Sequence, residues 1–257
     1  MKSWVVKSVL GFSCLGFIAA CASFNVMSDA KLNAMGLQAY QEVMSKEKLS
    51  NNAQAAQAVK EIGRKIAIAS GEDFEWEFNL IESDQANAFA LPGGKVAVYT
   101  GILPIAQTYA GLATVMGHEV AHATARHGGK RVSQNMVTQL GLSVASLTLQ
   151  NKQNAPMLMA ALGVGANVGV TLPFSRGHES EADMLGLMYM SKAGYDPRAA
   201  AGFWERMNSS SQGSTPEFMS THPDPVKRAA KLREKAQDYY NKYYAKSNKQ
   251  GKKRLPY

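Results

Sequence analysis

The segment His118-Glu119-Val120-Ala121-His122 constrains the fold of this chain more than any other. Residues four apart in a helix lie about 40° from each other around its axis, so both imidazoles can bind one metal ion. The glutamate between them lies close enough to polarise a water molecule in the open position of that metal. Zinc bound in this way acidifies the water, and the glutamate accepts its proton. The segment therefore predicts a helix that carries a zinc-activated water.

The residues around this segment favour a buried helix over the alternative, a helix that carries two histidines on its surface. We expect the helix to extend over about residues 110 to 127, because apolar and small residues occur on all of its faces. These residues are Ala113, Val115, Met116, Gly117, Val120, Ala121, Ala123 and Ala125.

The third ligand must come from another part of the chain, because a catalytic zinc site uses three protein ligands and one open position. His127 is the next histidine along the chain. In a continuous helix it would lie about 140° around the axis from His122 and would not reach the same metal. We expect His127 to cap the helix end, where a cation is favoured, or to contact a ligand from outside.

A second predicted helix is the better source of the third ligand. Glu179 and Asp183 share one face of it, next to small residues such as Gly186 that would let the histidine-bearing helix pack close. We predict Glu179 as the third ligand and Asp183 as the acceptor that orients a ligating imidazole. His178 is the rival ligand. The alternative for the whole segment is an acidic helix N-terminus stabilised by the helix dipole.

Four blocks of sequence resemble the gluzincin metallopeptidases, the zincin family that includes the heat-shock protease HtpX and the CAAX prenyl proteases. The chain is most similar to the LoiP-type lipoprotein peptidases of bacterial outer membranes. The resemblance implies an α+β fold, a mainly helical zincin-like domain with a small antiparallel sheet beside the active-site helix. The blocks are residues 87–94 (NAFALPGG), 118–122 (HEVAH), 175–183 (SRGHESEAD) and 221–223 (THP).

The resemblance also implies a reaction and a cofactor. It implies a zinc endopeptidase with one zinc ion per chain, bound by His118, His122 and Glu179, and with Glu119 as the general base. His222 and Arg228 match the family's His-Pro segment, and that pair is placed to stabilise the oxyanion of the tetrahedral intermediate. We raise one alternative for His222, a fourth zinc ligand that closes the open position in a resting state.

The block at Asn87 has a physical interpretation of its own. Residues 75–80 alternate between polar and apolar, Pro92-Gly93-Gly94 indicates a turn, and residues 95–100 indicate a returning strand. An exposed strand edge near the metal could bind an extended peptide through main-chain hydrogen bonds. The alternative is an ordinary structural hairpin. The predicted substrate-binding residues are Asn87, Ala88, Phe89 and Ala90.

The N-terminus is typical of a secretory signal. A short basic region precedes an apolar stretch that ends in Ile18-Ala19-Ala20-Cys21, which is similar to a bacterial lipobox. We therefore predict a signal peptide over residues 1–20 and a lipid anchor on Cys21. The predicted location is the periplasmic face of the outer membrane, because residue 22 is not aspartate. An uncleaved signal anchor is the alternative.

The remaining chain is long enough for one domain with a sizeable core. We assign the metallopeptidase domain to residues 21–235 and a basic C-terminal tail to residues 236–257. Residues 227–257 contain eleven basic and two acidic side chains, with tyrosines at helical spacing. This segment could lie on anionic lipid or pack as a helix that runs into a solvated tail from about residue 246. The apolar stretch 157–174 is interpreted as a buried helix or lid, with a membrane-dipping element as the alternative.

These features together predict a zinc endopeptidase of the bacterial envelope that cleaves unfolded or misassembled proteins for quality control. Outer-membrane assembly machinery is a further possible partner, whereas nucleic acid is not expected for a secreted chain. The alternative function is a chaperone-like or assembly-factor lipoprotein with a latent zinc site. A zinc deformylase or amidase is disfavoured, because the third ligand of such enzymes usually comes from an upstream cysteine. Cys14 would be lost with the leader, and Cys21 would carry the lipid.

Overall fold

The computed structural model describes residues 27–135, 174–210 and 217–257 of the chain. The predicted fold class is confirmed, since these residues form a mainly helical α+β domain with one small sheet. In chain order the elements are α1 (Asp29–Lys46), α2 (Ala53–Ser70), β1 (Glu77–Ile81), β2 (Ala88–Leu91), β3 (Lys95–Tyr99), α3 (Leu103–Ala106), α4 (Tyr109–Thr124), α5 (residues 127–135), α6 (Arg176–Lys192), α7 (Ala199–Ser210), α8 (Glu217–Thr221) and α9 (Pro225–Lys242).

Side-chain caps fix the starts of the two helices that matter most for the site. The Thr108 hydroxyl accepts a hydrogen bond from the Gly111 N–H at 3.0 Å, and the Ser175 hydroxyl accepts one from the His178 N–H at 3.1 Å. Such caps satisfy backbone donors that have no partner within the helix. They therefore set where α4 and α6 begin, and with that the turn of helix on which each site residue lies.

The sheet is mixed, with the strand order β1-β3-β2. The expected antiparallel pairing of the first strand with residues 95–100 is wrong, because β1 pairs parallel to β3. The reason is an intervening strand, β2, which the predicted turn joins antiparallel to β3. Gly93 and Gly94 supply that turn with φ angles of 81° and 83°, a region that glycine enters without strain.

The core of the domain surrounds α4. All of its residues from Gly111 to Thr124 are buried, as expected for a helix that is apolar all round. It packs against α2, β2, α6 and α7. The prediction of a buried helix is therefore confirmed, although α4 ends at Thr124 rather than near residue 127.

Helices α4 and α6 approach each other closely at two glycines. A Cβ atom added to Gly186 would lie 2.9 Å from the backbone nitrogen of His118, and one added to Gly117 would lie 3.0 Å from the carbonyl oxygen of Gly186. The predicted close packing of the second helix on the histidine-bearing helix is confirmed. This contact brings Glu179 within reach of the two histidines.

The C-terminal segment is packed against the domain, in contrast to the expected solvated tail. Leu255 is buried, and its N–H donates to the Gln107 carbonyl oxygen at 3.0 Å. The Tyr109 N–H donates to the Lys253 carbonyl oxygen at 3.0 Å. The segment thus holds the residues on either side of the cap of α4.

Several sequence predictions fall outside this description. The leader, Cys21 and residues 157–173 of the apolar stretch lie outside the described residues. Among the residues that the structure does describe, no helix combines the length and the apolar character needed to cross a membrane.

Candidate metal centre

Four buried side chains converge on one point between α4 and α6. His118 and His122 come from α4, Glu179 from α6, and His222 directly follows α8. One ligand atom of each lies within 4.8 Å of the others. His118 Nε2 is 3.0 Å from His122 Nε2 and 3.2 Å from His222 Nδ1, while Glu179 Oε1 is 3.0 Å from His222 Nδ1. The three predicted ligands are thus brought together with a fourth candidate.

The chemistry of these atoms fits a zinc ion. Two or three imidazole nitrogens and one carboxylate are the donor set of catalytic zinc sites. Glu119 adds a second sign, because its Oε1 atom is buried without a hydrogen-bond donor among the described residues. A buried carboxylate oxygen without a donor is costly, and a metal-bound water would supply that donor.

Burial and neighbouring charges set the protonation of these groups. Burial raises the pKa of Glu119, and the neighbouring His222 and His118 oppose this only in part. Burial and the neighbouring His118 hold the pKa of His122 well below its usual value. His122 is therefore neutral, which is the form that binds zinc.

The pKa of Glu179 is shifted the other way. Burial alone would raise it, but the neighbouring His222, Arg228 and His118 outweigh that effect and hold the pKa well below its usual range. Glu179 is therefore ionised, as a carboxylate ligand must be.

Asp183 lies where the sequence places an orienting acceptor. Its Oδ1 atom is 3.1 Å from His118 Nδ1, on the side of the ring that faces away from the other ligands. If His118 binds zinc through Nε2, its Nδ1–H would donate to Asp183, and this would fix the tautomer and the orientation of the ring.

The Arg228 guanidinium forms ion pairs with two carboxylates of the site, Asp183 and Glu179. Its Nε and Nη2 atoms donate to the two oxygens of Asp183 at 2.9 and 2.5 Å, and its Nη1 lies 2.7 Å from Glu179 Oε2. The guanidinium also lies 3.4 Å from the centre of the Trp204 ring. Arg228 therefore holds Asp183 and Glu179 in place, and its role towards an oxyanion stays a prediction.

His222 presents different atoms to the ligands and to the predicted base. Its Nδ1 atom faces the ligand set, while its Nε2 lies 3.5 Å from Glu119 Oε1. The ring stacks on Phe218, with centroids 4.5 Å apart. It is therefore placed for the alternative role of fourth ligand as well as for a role beside the reacting carbonyl group.

Two residues at the site were not assigned a firm place from the sequence. His127 is fully buried, and its Nδ1 lies 2.9 Å from His122 Nδ1. Phe174 stacks on the His122 ring with a centroid distance of 4.0 Å. The angle of about 140° between His122 and His127 holds only for a continuous helix. The chain instead turns at Arg126, where φ is 56°. The sequence carries no glycine or proline at residues 125 and 126 to indicate this turn.

The rival ligand His178 lies away from the converging atoms. Its ring stacks on His127 with centroids 4.4 Å apart, and it is not among the four residues that could bind one metal. The geometry thus favours Glu179 over His178 as the contribution of α6.

The predicted substrate-binding residues lie on β2, which is an edge strand of the sheet. The Tyr99 N–H donates to the Asn87 carbonyl oxygen at 3.0 Å, so Asn87 and Phe89 direct their backbone groups to β3. The backbone groups of Ala88 and Ala90 then point to the outer edge. The Phe89 side chain packs beside Tyr99 and belongs to the core.

Comparison with known proteins gives a consistent result. A family model described as Peptidase family M48 matches residues 50–236. The chain is 38% identical to the mitochondrial metalloendopeptidase OMA1 of Schizosaccharomyces pombe over 219 residues, or 82% of this chain and 63% of the relative. It is 29% identical to the beta-barrel assembly-enhancing protease of Escherichia coli K12 over 196 residues, or 73% of this chain and 40% of the relative. The chain thus spans less than two thirds of the length of these relatives.

These relatives contradict the predicted location. Relatives at 37–38% identity from Schizosaccharomyces pombe, Arabidopsis thaliana and Saccharomyces cerevisiae are named as mitochondrial enzymes. The prediction of the periplasmic face of a bacterial outer membrane, with a lipid anchor on Cys21, is therefore wrong. A basic start followed by an apolar stretch is a targeting pattern whose destination the pattern alone does not fix.

Proposed function

Because this chain belongs to peptidase family M48, we propose that it is a metalloendopeptidase that uses one zinc ion to cleave unfolded or misassembled proteins. The observation that carries the proposal is the convergence of His118, His122 and Glu179 beside the buried carboxylate of Glu119. Three protein ligands with a base beside the remaining position match a catalytic site, whereas a structural zinc site has no use for that base.

The residues of the chain divide the chemistry between them. When bound, zinc supplies a Lewis acid that polarises the attacking water and the peptide carbonyl group. Glu119 accepts a proton from the water as its oxygen attacks the carbonyl carbon. Glu119 then donates that proton to the amide nitrogen as the carbon–nitrogen bond breaks. The raised pKa of the buried Glu119 suits this exchange, because a base that must also return its proton works best near the operating pH.

The edge of β2 supports extended, unfolded substrates. The backbone groups of Ala88 and Ala90 point away from β3, and α4 packs directly against this strand. A peptide added at this edge would pair through its main chain and would lie over the helix that carries His118 and His122. Such pairing depends little on side chains but requires an extended segment, which folded proteins rarely expose. The relative named for beta-barrel assembly supports misassembled proteins as one source of such segments.

A second candidate function has one observation in its favour. His222 Nδ1 lies 3.2 Å from His118 Nε2 and 3.0 Å from Glu179 Oε1, so it can bind the same metal and occupy the position that the attacking water needs. A chain held in that state would act as a chaperone-like or assembly factor with a latent zinc site. The His222→Ala variant separates the two roles. It cleaves faster than wild type if His222 blocks the site, and more slowly if His222 assists the reaction.

The proposed function is tested with one protein substrate in two states. Reduced, carboxymethylated lactalbumin stays unfolded, and the native protein serves as its matched folded control. We expect cleavage of the unfolded form only, lost on chelation and restored by one equivalent of zinc. Elemental analysis of the active protein should give one zinc per chain. Equal cleavage of both forms would contradict the choice of substrate, and full activity in metal-free protein would contradict the zinc mechanism.

A further inference from the structure

His127 contacts a zinc ligand on the side away from the metal position. The chain turns at Arg126 after α4 ends, and α5 starts at residue 127 with its first side chain directed back at α4. His127 Nδ1 is 2.9 Å from His122 Nδ1, and both rings are buried. The other nitrogen of His127, Nε2, lies 3.1 Å from Glu181 Oε2 on α6.

Only one arrangement of protons satisfies all these contacts with a metal in place. His122 Nε2 faces the other ligand atoms, at 3.0 Å from His118 Nε2 and 3.2 Å from Glu179 Oε1. Nε2 must therefore be free of a proton, and Nδ1 must carry it. His127 then accepts at Nδ1 and donates from Nε2 to the Glu181 carboxylate.

We propose that His127 and Glu181 are positioning residues that orient His122 for zinc through a carboxylate–histidine–histidine chain. This inference rests on the proposed zinc site and names what holds one of its ligands. An acceptor on the far nitrogen of a ligating imidazole fixes its tautomer and makes it a stronger ligand. Glu181 cannot do this directly, because it points away from the α6 face that carries Glu179 and Asp183. His127 spans that gap.

The arrangement makes α6 the source of three carboxylates that contact the α4 histidines or support them. Glu179 faces the metal position, Asp183 lies against His118, and Glu181 reaches His122 through His127. The rings of His178 and Phe174 hold His127 in place, with centroids 4.4 and 6.4 Å from its own. Each α4 histidine is therefore connected to a carboxylate of α6, His118 directly to Asp183 and His122 through His127 to Glu181, which keeps both rings directed at the same point.

The test measures zinc affinity by competition with a chromophoric chelator, on full-length variants. The His127→Leu variant fills the space but removes both hydrogen bonds, and we expect 10 to 100-fold weaker binding, roughly the usual cost of losing such a partner. The His127→Asn variant retains an amide oxygen near the Nδ1 position and should recover part of that loss. The control is Arg176→Gln, because Arg176 is exposed at the start of α6, the helix that carries Glu181. It should bind zinc as wild type does.

A double-mutant cycle distinguishes the proposed hydrogen bonds from Glu181 through His127 to His122 from a simple effect on packing. We expect Glu181→Gln to weaken zinc binding several-fold in wild type and to have no effect in the His127→Leu background. Glu181 is half exposed, so this variant should fold even if His127→Leu does not. The Co²⁺ absorption spectrum of each variant gives a second readout, because it reports ligand geometry directly.

The inference is overturned if His127→Leu binds zinc as tightly as wild type, or if Glu181→Gln has the same effect in both backgrounds. These results are separate from the fate of the proposed function. If the wild-type protein binds zinc tightly and through His127 but cleaves no unfolded substrate, the proposed function is wrong and the positioning role of His127 and Glu181 is retained. If His127→Leu cleaves the substrate and binds zinc with unchanged affinity, the positioning role is wrong and the proposed function is retained.

Discussion

Glu119 is a buried carboxylate that lies next to the candidate ligands. It is buried, with one oxygen lacking a donor among the described residues, and it lies beside His222 rather than within the ligand set. Its exchange for glutamine keeps the shape of the side chain but removes the ability to accept a proton. We therefore expect Glu119→Gln to bind zinc normally and to lose about 10²- to 10⁴-fold in kcat.

The measurement is kcat on the unfolded substrate together with the zinc content of the same sample. Glu82→Gln, at an exposed glutamate that directly follows β1, serves as the control and should be as active as wild type. A Glu119→Gln protein with full zinc content and undiminished kcat would remove the proposed base.

Arg228 allows a sharper test of role, because its two candidate roles affect different quantities. It is buried and paired with both Asp183 and Glu179. Exchange for methionine leaves those carboxylates without their cation, which in buried pairs costs about 3–5 kcal/mol of unfolding free energy. We expect Arg228→Met to lower the urea midpoint accordingly. A group that served only an oxyanion would instead lower kcat and leave the midpoint unchanged.

At the scale of elements, the contact between α4 and α6 sets the distance between the histidines and Glu179. Gly186 has no room for a methyl group, since its Cβ would meet the backbone of His118 and Gly117 at 2.9 and 3.0 Å. Backbone cannot rotate away as a side chain can, so the helices must separate. We expect Gly186→Ala to destabilise the fold by about 1–3 kcal/mol and to weaken zinc binding.

The matched control is Gly177→Ala on the same helix, where the added methyl meets only the Ser175 hydroxyl, at 3.7 Å, among the described residues. Thermal unfolding and chelator competition on both variants give the comparison. If Gly186→Ala unfolds like the control and binds zinc as tightly as wild type, the glycine contact does not set the geometry of the site.

The elements also show what a sequence can and cannot predict here. The helices were predictable, because periodicity and caps such as Ser175 are local signals. His118, His122 and Glu119 followed from their spacing within one turn of helix. The parallel pairing of β1 was not predictable, since β2 is a short, continuously apolar strand that alternation does not reveal. The contact of His127 was missed because the rule for a continuous helix does not hold across the turn at Arg126.

At the scale of the whole molecule, the centre joins segments that are far apart in sequence. α4 supplies two of its residues, α6 supplies a third, and the chain after α8 supplies His222. His222 is connected to the rest through stacked rings, since Phe218 lies 4.5 Å from it and 5.6 Å from Trp204. Because α4 carries His118 and His122, a change in the position of this helix also moves two of the candidate ligands.

The C-terminal segment is far from α4 in sequence, but it contacts the start of that helix. Leu255 is buried in the main core, and its backbone pairs with Gln107, one residue before the Thr108 cap. We expect Leu255→Ala to lower the unfolding free energy by about 2–4 kcal/mol through the lost burial and the cavity it leaves. The exposed Lys252→Ala, three residues away, should change it by less than about 0.5 kcal/mol. Urea unfolding of both variants gives the comparison, and equal midpoints would show that the segment adds nothing to the stability of the catalytic helix.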